Sequence, residues 1–174
     1  MLRSFIAISI VPNDAIVSLM KSIEPLKGSK VPHNKLMHLT LSFLDEITES
    51  EKEQLCRILN GMQFNKFTIR TTHIDAFPDI RRARVAFIGI ESHEILGLHR
   101  LLMENLPEKY REKREFVPHL TISRFKRPAD IRGLLRENEE MDFGAYGVEK
   151  LTLYRSDLTP QGAVYTEMCS VQLM

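Results

Sequence analysis

The sequence predicts an α+β domain built on antiparallel sheets with helices on their outer faces. In several segments apolar residues alternate with polar ones, as half-buried strands require, and no strand reads as the continuous apolar run of a parallel sheet. Capped helical patterns fall between those segments, and none opens on the G-x-G-x-x-G turn of a doubly wound fold. At 174 residues, 43% hydrophobic and 27% charged, the chain suits one compact domain or two small lobes sharing a core. Residues 1–174 are read as that single domain.

Residues 2–11 carry Phe5, Ile6, Ile8, Ile10 and Val11 and read as a first, buried strand. Pro12, Asn13 and Asp14 close it and start a helix to about Leu26. Gly28 and Pro32 punctuate a loop, and residues 35–44 alternate from His38 onward as a strand. Thr48 with Glu51 three positions later fits a capping box for a helix over 49–61, which Gly61 ends. Strands near 64–76 and 83–91 follow, joined by FPDIRRA. Ser92 caps a helix to about Leu106, whose Ile95, Leu98, Leu102 and Leu106 share a face. The charged EKYREKREF leads to a strand at 116–125, and Pro128 with Asp130 opens another short helix. Two last strands occupy about 148–173 around a turn at Pro160, Gln161 and Gly162.

Charge and cysteine content narrow the function classes. The formal net charge of +1 excludes a broad polyanion-binding surface but leaves room for a local basic cleft. Cys56 and Cys169 stand in unrelated contexts and are expected to be two reduced, largely buried thiols. No C-x-x-C is present, and His33, His73, His93 and His99 lack a partner at ligand spacing, so no metal and no cofactor is expected. No apolar run reaches the ~18 residues of a membrane helix. The apolar N-terminus has no small-residue cleavage site, and a cytoplasmic protein that binds no membrane is expected.

One repeat lifts the chain above a generic domain. Residues 38–42 are HLTLS and residues 119–123 are HLTIS. Ordinary residue frequencies would produce the second copy, given the first, with a probability on the order of one in ten thousand. The 81 positions between His38 and His119 are close to half the chain, as a duplicated half-domain would give. Strand alternation puts His38, Thr40 and Ser42 on one face and Leu39, Leu41 and Phe43 on the other. The second copy does the same for His119, Thr121 and Ser123, with Leu120 and Ile122 behind. Facing each other across a groove, the two strands would present two imidazoles and two hydroxyls to one ligand.

A phosphodiester suits that arrangement. Imidazole titrates near neutrality, so one ring can accept a proton from attacking water while the other protonates the departing sugar oxygen. Threonine hydroxyls can donate to the non-bridging oxygens. No step of this chemistry calls for a metal. The competing reading is two related strands whose polar faces are merely solvated, which leaves the joint recurrence of His and Thr unexplained.

Paired H-x-T motifs on two strands resemble the signature of the two-histidine (2H) phosphoesterases, and in particular the RNA 2′,3′-cyclic phosphodiesterase branch, also called the 2′-5′ RNA ligase family. The likeness runs through RSFIAISIVP, LMHLTLSFLDEI, FPDIRRARVAFIGI, FVPHLTISRF and LTLYRSDLTPQGAVYTEM. The resemblance implies a bilobal, duplicated fold with two antiparallel sheets facing across a central groove. It implies that His38 is the proton donor, His119 the proton acceptor, and Thr40 and Thr121 the phosphate-binding hydroxyls. The implied reaction is hydrolysis of an RNA 2′,3′-cyclic phosphate to a 2′-phosphate. The chain departs from the family in carrying Asp45 where glycine is frequent, and in having no tryptophan.

Further candidates for substrate contact are Ser42 and Ser123, the basic cluster Arg81, Arg82 and Arg84, and the aromatics Phe77 and Tyr165. The arginines could meet an RNA backbone, or form a solvated turn balanced by Asp79. Phe77 and Tyr165 could stack on a base, or pack in the core. If alternation holds, Arg124 and Lys126 point away from the His119 face. The expected partner is an RNA or oligonucleotide with a 2′,3′-cyclic phosphate end, tRNA fragments included, acted on by a monomer. Two other readings stay open: 2′-5′ RNA ligation as a side activity, and a non-catalytic RNA- or nucleotide-binding module.

Overall fold

A computed structural model describes residues 1–33, 37–160 and 162–174; the start of the strand expected from residue 35, and Gln161 of the closing turn, lie outside the described residues. In chain order the elements are β1 (Leu2–Ser9), α1 (Asp14–Ile23), β2 (Ser29–Lys30), β3 (His38–Ile47), α2 (Glu49–Gly61), β4 (Phe67–Phe77) and β5 (Ala83–Glu91). There follow α3 (His93–Asn105), a 3-10 turn (Glu108–Tyr110), β6 (His119–Ala129), α4 (Arg132–Glu137), β7 (Ala145–Val148), β8 (Lys150–Thr159) and β9 (Gly162–Gln172). The strands make two sheets, ordered β3-β1-β8-β9 and β2-β6-β5-β4-β7, and every described pairing is antiparallel. The sheets approach one another along β3 and β6. The predicted α+β class with two antiparallel sheets is the fold observed.

Local chemistry accounts for the helices. Asn13 caps α1 by accepting the Ile16 N–H, while its amide donates to the Phe143 carbonyl and ties the helix start to a distant loop. Pro25 has no N–H with which to extend the helix, which therefore stops at Ile23 rather than Leu26. Thr48 and Glu51 form the reciprocal capping box of α2. Ser92 caps α3 through the Ile95 N–H. Each helix buries one stripe: Ile16, Leu19, Met20 and Ile23 of α1, Leu55 and Leu59 of α2, Ile95, Leu98 and Leu102 of α3.

Three differences from the sequence-based expectation have physical causes. β2 and β7 are too short, at two and four residues, to show a period. β6 runs on through Pro128 to Ala129 instead of yielding to a helix there, because β2 pairs only with Arg124 and Phe125 and leaves an open edge where proline is tolerated. Asp45, opposite Ser4 at an irregularity between β1 and β3, has φ 54°. That left-handed conformation favours glycine and tolerates aspartate, so aspartate can hold this irregularity of β3 where the family often has glycine.

The cysteines depart most from expectation. Cys56 of α2 and Cys169 of β9 are joined in a disulfide across 113 positions of sequence. Sequence distance hid the pair, since helix–strand packing alone brings the two positions together. By restricting the unfolded chain, such a bridge contributes about 2–4 kcal/mol. Thermal unfolding in excess dithiothreitol should therefore occur about 5–15 °C below the oxidised protein. The Cys56→Ser, Cys169→Ser variant should match the reduced protein; equal melting of both redox forms would contradict a stabilising bridge.

Candidate active site

His38 opens β3 and His119 opens β6. Residues directly opposite in an antiparallel pair share a face. On β1, Ser9 stands opposite His38 and Ala7 opposite Thr40; on β5, Gly89 stands opposite His119 and Phe87 opposite Thr121. All four motif residues are half-buried. Immediately after each threonine the register slips: Ile6 pairs with Ser42 and Ala86 with Ser123, leaving Leu41 and Ile122 as extra residues. The same β-bulge thus follows both motifs, and it reverses the faces beyond it.

That reversal corrects the alternation assumed from sequence. Ser42 and Ser123 do not share the histidine faces; both are fully buried. Ser42 donates to the Tyr110 carbonyl at 3.4 Å, and the Ser123 hydroxyl bonds that of Ser29 on β2 at 2.8 Å. Both hydroxyls are engaged with protein groups. In their place the bulges bring Phe43 and Arg124 round to the histidine faces. Phe43 is opposite Phe5, whose ring lies 4.9 Å from that of His38. Phe43 stays 55% exposed, and its amide donates to Glu112 at 3.1 Å. Arg124 stands opposite Val85 on one side and Lys30 on the other, and is exposed.

The tautomer of His119 is fixed by the backbone beside it. Its Nδ1 lies 2.8 Å from the Val117 carbonyl. A carbonyl can only accept, so Nδ1 carries the hydrogen and the Nε2 lone pair is left for a ligand. Burial pushes the imidazole below its ordinary value, the Val117 bond opposes this, and the charge of nearby Arg124 lowers it further. Phe77 and Phe87 pack on the ring at 5.3 and 5.1 Å.

His38 sits in an aromatic setting. Its ring meets Phe5 and, edge-on at 5.1 Å, Tyr165 of β9. Tyr154 stacks on Phe5 from the other side at 5.4 Å. Burial raises the Tyr165 phenol while Arg124 and Arg3 act against that rise. Arg124 thus acts electrostatically on both Tyr165 and His119, Tyr165 touches His38, and the strands that carry the two motifs, β3 and β6, contact one another.

The remaining candidates separate. Tyr165 and Phe77 flank the two histidines. The Arg81 and Arg82 amides donate to Asp79 Oδ1 in the β4–β5 turn, at 2.8 and 3.1 Å, with exposed side chains. Arg84 neighbours Val85 and so projects from the face opposite Arg124. Phe43 and Arg124 were missed because strict alternation places them behind the strand. Aligning HLTLSF with HLTISR would have singled out the sixth position of each motif. Among the described residues no group of three or more His, Cys, Asp or Glu could hold a metal ion, and no helix is long and apolar enough to cross a membrane.

Residues 12–160 match the model of the 2′-5′ RNA ligase superfamily. A protein of Methanocaldococcus jannaschii named RNA 2′,3′-cyclic phosphodiesterase is 30% identical over 171 residues, covering 94% of this chain and 96% of its own length. A protein of the same name from Aquifex aeolicus is 31% identical over 163 residues, 88% of this chain and 87% of its own. Among solved structures, TT0787 of Thermus thermophilus superposes with a TM-score of 0.80 at 28% identity, covering 98% of this chain and 97% of that one. E. coli LigT in complex with 3′-AMP shares the fold, with a TM-score of 0.77 at 20% identity over 99% and 98% of the two chains.

Since Arg124 disfavours the imidazolium, replacing it should raise the His119 titration. NMR should place the His119 midpoint below the ordinary ~6.5 in the native protein, and higher in Arg124→Met. An unchanged midpoint in the variant would show that Arg124 is not facing that ring.

Proposed function

Because the chain belongs to the 2′-5′ RNA ligase superfamily, we propose that it hydrolyses 2′,3′-cyclic phosphates at RNA ends to 2′-phosphomonoesters by acid–base catalysis between two histidines. The observation that carries this reading is the Val117-anchored tautomer of His119, which leaves the Nε2 lone pair as a proton acceptor on a strand that contacts the one bearing His38. Nε2 accepts a proton from water as the water oxygen bonds to phosphorus. The P–O3′ bond breaks, and O3′ takes the proton that His38 donates. The 2′-phosphate and a 3′-hydroxyl remain, and exchange with solvent restores both rings.

The other roles follow the charge and shape of the site. Thr40 and Thr121 donate to non-bridging oxygens, and Arg124 adds a fixed positive charge beside the phosphate. Phe43 and Tyr165 offer faces for the terminal base, with Phe77 on the opposite wall. Arg81 and Arg82, exposed in the β4–β5 turn, offer positive charge to a longer RNA, whereas Arg84 projects from the other face and takes no part. The chain acts as one domain of two related lobes, as a monomer in the cytoplasm, on RNA ends that include tRNA fragments. None of the steps needs a metal.

An RNA oligonucleotide ending in a 2′,3′-cyclic phosphate, incubated with the protein in excess EDTA, should yield a 2′-phosphate end. His38→Ala and His119→Ala should each lose on the order of 10²–10⁴ in rate. Full activity in both variants would refute the mechanism. The pH–rate profile should be bell-shaped, with an acid limb below the usual histidine range because His119 must be neutral to act and its titration is depressed. An acid limb at or above ordinary histidine values would assign the base elsewhere.

A further inference from the structure

The Val117 carbonyl sets the tautomer of His119, yet no ladder holds Val117 itself. Pairing between β5 and β6 begins at Gly89 and His119, preceded by one bond from the Ile90 N–H to the Pro118 carbonyl at 3.1 Å. Pro118 has no N–H to offer a neighbouring strand. Among the described residues, no main-chain group of 112–117 bonds to another main-chain group. The carbonyl on which the imidazole depends thus ends a stretch that only side chains can fix.

Phe116 is the anchor next to it. Its ring lies face to face on that of His99, with centroids 3.9 Å apart and planes 5° from parallel, and it also packs against the core. His99 sits on α3 one turn beyond Ile95 and directly after Leu98, both fully buried, so the helix's apolar stripe fixes its backbone. The residue serves there as a flat ring. Its Nε2 is buried without a hydrogen-bond partner, so no polar bond of that atom accounts for a histidine at this position. The other end of the connection from α3 to β6 is held separately, by Ser42 on the Tyr110 carbonyl and by the Phe43 amide on Glu112.

We propose that His99 is a positioning residue for His119: by stacking on Phe116 it aims the Val117 carbonyl, and that carbonyl decides which imidazole nitrogen keeps a lone pair for the ligand. The role of His119 as base rests on the hydrolase reading; the control of its tautomer does not. Without the stack, Phe116 loses its flat support, the Val117 carbonyl turns, and the hydrogen of the neutral imidazole distributes over both nitrogens. Molecules that carry it on Nε2 have no lone pair there with which to accept a proton. His99 itself touches neither the substrate nor the reacting atoms, so substrate binding is not its task.

Nitrogen NMR above the imidazole titration reads the tautomer with no substrate present. Native His119 should show a hydrogen-bearing Nδ1 and a bare Nε2. In His99→Ala the ratio of the Nδ1–H to the Nε2–H form should fall at least about threefold, the scale of one ordinary hydrogen bond. Alanine is the best helix former, so α3 should persist. Phe116→Ala, which removes the other ring, should give the same signature and is read in its place if His99→Ala does not fold. His99→Phe keeps a flat ring and should restore the native ratio. On cyclic-phosphate RNA, kcat should fall with the tautomer ratio in both alanine variants, KM staying native, and should recover in His99→Phe. A native ratio in the alanine variants, or a mixed ratio that His99→Phe fails to restore, would overturn the positioning role. Absence of turnover in the native protein, with the tautomer still following the stack, would overturn the hydrolase reading alone.

Discussion

The extra residue after each threonine, Leu41 in one strand and Ile122 in the other, governs the site. A regular strand would give each histidine face a serine two positions beyond the threonine. The slip instead spends the serines on internal hydrogen bonds and turns a phenylalanine and an arginine onto the histidine faces. Both sheets keep their apolar faces under the helices across the irregularity, because the inserted leucine and isoleucine are themselves buried. One local distortion, made twice, thereby reconciles a continuous core with a short run of clustered polar groups.

Beyond the bulge the two halves diverge, and that difference sets the asymmetry of the site. The first motif ends in Phe43 and lies among Phe5, Tyr154 and Tyr165. The second ends in Arg124 and lies beside a carbonyl that fixes the imidazole tautomer. Two rings of the same chemical type thus meet different surroundings. In the proposed reaction it is these neighbours that would divide donor from acceptor, and a sequence repeat alone is blind to them.

The legible parts of this protein were those encoded within a few residues. Thr48 with Glu51, Ser92 and the alternation of Leu39 and Leu41 read directly, and so did the repeat that names His38 and His119. Asp45 stood out as unusual, and its positive φ supplies the reason. The rest depended on partners distant in sequence. A bulge is defined by the strand across from it, so Leu41 looks like ordinary alternation until β1 is in place. Cys56 and Cys169 meet only through helix–strand packing, and β2 is a strand only because β6 runs beside it.

The interleaving of the sheets sets an order on biosynthesis. Every strand of the second sheet lies between Ser29 and Val148, whereas the first sheet places β1 between β3 and β8, strands made near opposite ends of translation. On the ribosome the sheet that carries His119 can close while β1 still presents an unpaired edge. An unpaired edge is the feature that invites association with other chains. Until β8 emerges, β1 is the segment of the nascent chain most in need of shielding, and the half bearing His38 is the last to acquire its final form.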